Sequence, residues 1–147
     1  MKDLKYLMSY SIAFMAFLGI SIGGFYNYLA VIYTFVFIPV LEVLVKRSDE
    51  KYTEQEKTNR LLDPFFDILL YLNIPIVFGI FFFSLDKLIL TTSISDIVGI
   101  ILSASIVMAT NGINVGHELG HRRSLFARTC SKLLYLPCQY MHFYIEH

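Results

Sequence analysis

The chain has 147 residues, of which 56% are hydrophobic, 16% aromatic and only 16% charged, whereas a soluble domain keeps about a quarter of its residues charged. A core of this modest size does not hide so much apolar surface from water, so the composition points to lipid as the solvent and excludes an ordinary soluble domain. Formal net charge is zero, and no basic surface recommends a nucleic-acid partner.

Met1 to Lys5 is a short charged start. The apolar run that follows is too long for a signal-peptide core and does not end in a convincing small-residue cleavage site, so it is read as a retained span. A spanning helix needs about 20 mostly apolar residues. Four stretches meet or approach that: Tyr6–Gly24, Tyr28–Val45, Phe65–Leu85 and Ile97–Gly116. Only Phe25, Tyr26 and Asn27 separate the first two, which predicts a tight helical hairpin. The long polar stretch Lys46–Asp63 follows, and Asp63-Pro64 suits the start of the third span, with aspartate as a cap and proline in the first helical position. Pro39 and Pro75 are expected to kink their spans rather than end them, since neighbouring groups in a membrane bundle re-satisfy the freed backbone. Asp86, Lys87, Thr91, Thr92 and Asp96 mark the short connection to the fourth span. Beyond Gly116 the apolar pattern is broken by charges and by Pro137, which predicts an interfacial or partly buried segment rather than a fifth span. The expected fold is all-α, a polytopic transmembrane helix bundle with about four spans and no internal repeat.

Lysine and arginine concentrate in cytoplasmic loops. Lys2 and Lys5, Lys46, Arg47, Lys51, Lys57 and Arg60, then Arg122, Arg123, Arg128 and Lys132 all fall on one side if each stretch spans, and Lys87 on the other. The N-terminus, the 46–63 loop and the 117–147 region are therefore predicted to be cytoplasmic. The acids at or beside the spans have structural readings: Glu42 can pair with Lys46 one turn on, Asp67 lies in a first helical turn, and Asp96 precedes the fourth span. Cys130 and Cys138 read as two buried thiols on the cytoplasmic side rather than a disulfide. Gly19, Gly23, Gly24, Gly79 and Gly99 fit either close helix packing or a channel wall.

All four histidines, His117, His121, His142 and His147, lie in the last 31 residues. His117-Glu118-Leu119-Gly120-His121 places two imidazoles four apart, on one face of a helix, where they can bind one metal ion or two neighbouring ones. Asn114 and Asn111 continue that face into the membrane, placed either to hold the imidazoles by hydrogen bonds or to tie helices together; for Asn111 the second role is favoured. Imidazole suits zinc, iron, copper and nickel alike. The same His-Glu-x-x-His pattern serves zinc metalloproteases, with the glutamate as general base, and on the motif alone a membrane zinc protease stands beside an oxidase as a reading. The second cluster, His142-Phe143-Tyr144-Ile145-Glu146-His147, adds histidine and an acid and ends on a histidine, a poor place for a metal ligand, which suggests a fragment of a longer protein.

Asn114-Val115-Gly116-His117-Glu118-Leu119-Gly120-His121-Arg122 resembles the first histidine box of the alkane 1-monooxygenases, and His142 to His147 resembles the run into their second box. The 26 positions between His121 and His147 are similar to that family's spacing, and four spans ahead of the boxes match its layout of six. The resemblance implies a histidine-ligated site for two iron ions near the cytoplasmic face of the bacterial inner membrane, with His117, His121 and His147 as ligands. Glu118 and Glu146 would orient imidazoles, and Asn114 and His142 would support the ligands without binding metal. It further implies insertion of one oxygen atom of O2 into the terminal carbon of an alkane drawn from the membrane lipid, with rubredoxin as electron donor. The basic residues after the first box fit either steering of an acidic donor or positive-inside anchoring. Xylene-, cymene- and acyl-chain-oxidising relatives share much of this pattern. The end of the second box, a later His-Tyr-Gly motif and the third box are absent, so these 147 residues are expected to be the N-terminal part of one integral-membrane domain and inactive alone.

Overall fold

The computed structural model describes residues 7–44 and 64–142. Five helices make up this region: α1 (Leu7–Ile22), α2 (Gly24–Leu44), α3 (Pro64–Leu90), α4 (Ile94–Gly120) and α5 (Leu125–Tyr135). No strand occurs among the described residues. α2, α3 and α4 are long and apolar enough to cross a membrane; α1 is apolar but shorter. Large apolar side chains such as Phe14, Phe35, Val43 and Ile89 are exposed on the outside of the bundle, an arrangement that suits hydrocarbon and not water. The chain is a membrane helix bundle. The 46–63 loop lies outside the described residues, as does Lys46, the expected partner of Glu42.

The α1–α2 hairpin is as tight as expected, but it turns two residues earlier. Gly23 and Gly24 take φ values of 81° and 61°, a region that glycine enters at no steric cost, and Gly24–Tyr28 then tightens into a 3-10 turn. α1 and α2 close on each other at Gly19, where a Cβ would collide with the Tyr26 carbonyl. α2 docks on the start of α4 in the same way: a Cβ on Gly99 would lie 2.7 Å from the Asn27 Cβ. Polar pairs seal this contact, with Ser103 Oγ donating to the Asn27 carbonyl at 2.5 Å and Tyr28 Oη to the Ser95 carbonyl at 2.8 Å. Asp96 sits in the first turn of α4 behind its cap Ser93, and its carboxylate accepts from Asn27 Nδ2 at 3.3 Å.

α3 starts at Pro64 and runs unbroken through Pro75 to Leu90, past the charges at which the sequence pattern ends. Lys87 stays in the helix by laying its ammonium 5.5 Å from the Phe83 ring centroid, at the end where the helix dipole favours a cation. Two segments widen from α to π geometry. One, Tyr33–Phe37, precedes Pro39 in α2, where the missing N–H and the ring crowd an ordinary turn. The other, Met108–Ile113, lies within α4. Past it the helix continues through Gly120, four residues beyond the expected end of the span, with His121 as its C-cap, and so holds the histidine motif to its last residue.

α5 is amphipathic and lies back against α4, the partly buried segment that the broken pattern allowed. Glycines on α4 admit it: a Cβ on Gly116 would come within 3.0 Å of the Tyr135 ring, and one on Gly112 within 2.7 Å of Cys138 Sγ. Ser131 Oγ donates to the Gly116 carbonyl at 2.6 Å. Leu119, Ala127, Cys130 and Leu134 bury together with Val77 of α3 beneath this contact.

Candidate metal centre

The motif folds as a helix because it extends α4 without interruption, and helical spacing then stacks residues four apart. His117 and His121 meet as that spacing requires. Their Nε2 atoms are 3.1 Å apart and their rings stand edge to face, with centroids 4.6 Å apart and planes 84° apart. Two nitrogens so separated, each about 2.1 Å from a shared ion, would subtend an angle of about 95° there, within the range for two imidazoles on one metal. The donor set and its geometry thus fit metal binding. Among the described residues no third histidine, cysteine or acid joins the pair into a larger ligand group.

The other sequence-predicted residues fall in different places. Glu118 is exposed and its carboxylate meets Arg122 at 3.5 Å. Asn114 is exposed, one turn before the motif. His142 is exposed and packs edge-on against Tyr140, ring centroids 4.7 Å apart. His147 and Glu146 lie outside the described residues. Asn111 does not share the face of Asn114: it is 2% exposed and turned into the bundle, donating to Asn73 Oδ1 of α3 at 2.8 Å and to the Ser9 carbonyl of α1 at 3.3 Å. Its role is the helix-tying one, and the π turn that separates it from Asn114 has no signature in an apolar pattern.

Sequence reasoning also missed a cross-helix ion pair. Arg122, the basic residue after the motif, reaches Asp67 Oδ1 on α3 at 3.2 Å as well as Glu118. An acid in the first turn of one span and a basic residue just after another, both assigned to the cytoplasmic side, were the available signal. Arg123 and Lys132 are exposed, whereas Arg128 is half-buried. Cys130 and Cys138 are free thiols, and burial pushes both above the ordinary thiol pKa.

Two cavities lie along the α1–α3 seam and share Tyr10. The one toward the histidine end is about 450 Å³ and is lined by Ser9, Leu70, Asn73, Thr110, Asn111 and Val115 among others. The other, about 400 Å³, is apolar, with Phe14, Phe17, Pro75, Gly79 and Phe83 in its wall. Gly79, then, lines the apolar cavity, while Gly19 and Gly99 serve close packing.

No family model matches the chain. It is, however, similar to the alkane 1-monooxygenase of Pseudomonas putida, 30% identical over 129 residues that make up 85% of this chain and 31% of that protein. Alkane 1-monooxygenase 1 of Alcanivorax borkumensis is likewise 30% identical, over 114 residues, 75% of this chain and 27% of the relative. Over the stretch it spans, the chain resembles the alkane 1-monooxygenases. That stretch is about a third of the length of the curated relatives it matches.

Proposed function

We propose that the full-length protein is a membrane monooxygenase that hydroxylates the terminal carbon of medium- to long-chain alkanes to primary alcohols, using O2, two histidine-held iron ions and electrons from rubredoxin. The observation that carries this reading is the convergence of His117 and His121 Nε2, 3.1 Å apart at the end of a membrane helix, in a chain that resembles this family. Bound iron would supply the oxidising power that an unactivated C–H bond demands and that zinc, which has no redox chemistry, does not offer.

The chain's own residues have defined tasks in this reading. His117 and His121 hold iron, and His147 is proposed as a further ligand, with Glu146 and His142 near it in sequence. Arg122 fastens the end of the motif to Asp67 on α3 and holds Glu118 beside it, which limits how far the histidine turn can move. The apolar cavity along α1 and α3 takes a hydrocarbon chain from the bilayer, and water is excluded by the aromatic wall. With the motif on the cytoplasmic side of the inner membrane, the exposed cations Arg123 and Lys132 steer an acidic electron carrier.

Membranes containing the full-length protein test the proposal. Terminal alcohol formed from a straight-chain alkane with reduced rubredoxin, together with about two irons per chain that fall on His117→Ala or His121→Ala, is the expected result. One zinc per chain and no alcohol would overturn it.

A further inference from the structure

We propose that Asn73 is a positioning residue: acting through Asn111, it holds the π turn Met108–Ile113 and so sets the direction in which His117 and His121 point. The consequence for metal binding rests on the reading above, whereas the geometric claim does not.

The turn is needed by the packing. An α-helix advances about 100° per residue, so Val107 and Gly116, nine positions apart, would point in opposite directions on an unbroken α4. Both are buried. The wider turn adds one residue and rotates everything beyond it by about 100°. With that rotation Val107 before the widened segment, Asn111 within it, and Gly116 and Leu119 after it all face the interior, and His117 and His121 take the opposite side.

A widened turn is held only where its surroundings favour it over α geometry. Here the restraints converge from three other elements. Asn111 Nδ2 donates to Asn73 Oδ1 at 2.8 Å, with the two residues 2% and 3% exposed. The same amide reaches the Ser9 carbonyl of α1 at 3.3 Å. Thr110 Oγ1 lies 2.9 Å from Asn111 Oδ1 and 2.8 Å from the Ile106 carbonyl and shares its one proton between them, the second contact being the back-bonding that bends helices. From the other side, Cys138 Sγ lies 3.4 Å from the Met108 carbonyl, directly over Gly112. Asn73 is itself anchored by its Nδ2 to the Leu69 and Leu70 carbonyls at 2.9 and 3.2 Å. Its Oδ1 is thus presented to α4 from a fixed place. An α4 that relaxed to α geometry would turn Asn111 away from it, and a lipid-exposed amide costs more than the turn.

The test compares the full-length protein with Asn73→Leu/Asn111→Leu, which keeps an interior of similar volume without the amide clamp, and with Thr110→Val, a milder change that removes only the hydroxyl bonds. Asn114→Cys, placed on the exposed face of the turn before His117, reports its orientation through the rate of reaction with a small methanethiosulfonate, after subtraction of the native thiols. Cobalt(II) reports the imidazoles through its visible spectrum and affinity. The expected result is severalfold slower labelling of the introduced thiol in the double variant, a smaller slowing in Thr110→Val, and cobalt affinity lowered by about tenfold or more in the double variant. Unchanged labelling in both variants overturns the inference, and Thr110→Val decides alone should the double variant not accumulate. Slower labelling in a protein whose cobalt spectrum is insensitive to His117→Ala supports the clamp while overturning the metal reading.

Discussion

The amide cluster around Asn111 and the imidazole pair of His117 and His121 lie on the same helix, and they are built in opposite ways. Asn111 and Asn73 are almost wholly buried, and each is bonded to a partner on a neighbouring element. The imidazoles lie beyond the π turn, with His121 exposed, and bring two nitrogens together where an ion can reach them. Within a lipid-embedded bundle a polar side chain that only holds helices is expected to be satisfied and enclosed, because an unpaired amide in hydrocarbon is costly. One that performs chemistry keeps its lone pairs accessible. A single stretch of one helix, 111 to 121, therefore contains both designs, and burial rather than residue type distinguishes them.

The largest effect expected from this contrast is chemical. His121→Ala in the full-length protein should abolish iron retention and alkane hydroxylation while leaving the thermal unfolding midpoint in detergent nearly unchanged; elemental analysis beside a melting curve checks both halves. The amides should behave in reverse. Asn111→Leu alone strands the Asn73 acceptor and should destabilise by about 1–3 kcal/mol, and adding Asn73→Leu should recover most of that loss in a double-mutant cycle of unfolding free energies. Gly116→Val drives a side chain into the buried Tyr135 ring and should cost about 1–3 kcal/mol, seen as loss of the α5 contact by hydrogen exchange.

Smaller effects sharpen the comparison at its edges. Arg122→Gln removes a half-exposed pair with Asp67 and should cost less than about 1 kcal/mol, a difference that vanishes in high salt. The thiols give a pH signature. Burial raises the pKa of Cys130 and Cys138 in the folded chain, so as pH rises the unfolded chain loses its thiol protons first. Their contribution to stability is fully present below the ordinary thiol pKa and should fall as pH climbs above it, a slope that Cys130→Ala reduces.

Much of this architecture was legible in the sequence because apolar runs and a four-residue histidine spacing are local signals. The helical hairpin, the start at Pro64, the partly buried α5 and the meeting of His117 with His121 all follow from such patterns. What was not legible depends on contacts between distant residues. α3 runs on to Leu90 because the Lys87 stem can stay beside Phe83, and charge alone does not reveal that. Asn111 reads as part of the histidine face on an ideal helix; the π turn moves it, and the cause lies in Asn73, 38 positions away. The Asp67–Arg122 pair spans a still longer separation. α1, read as a full span from Tyr6, is shorter in the described region.

The wide turn in α4 also bears on how such chains should be aligned. A protein that presents the same histidine motif on an unbroken helix must be one residue shorter between the positions of Val107 and His117 to bury the same faces above and below. A single-residue gap in that interval is therefore the expected mark of a relative that lacks the turn, and an ungapped alignment across it would shift every outer position of α4 by one.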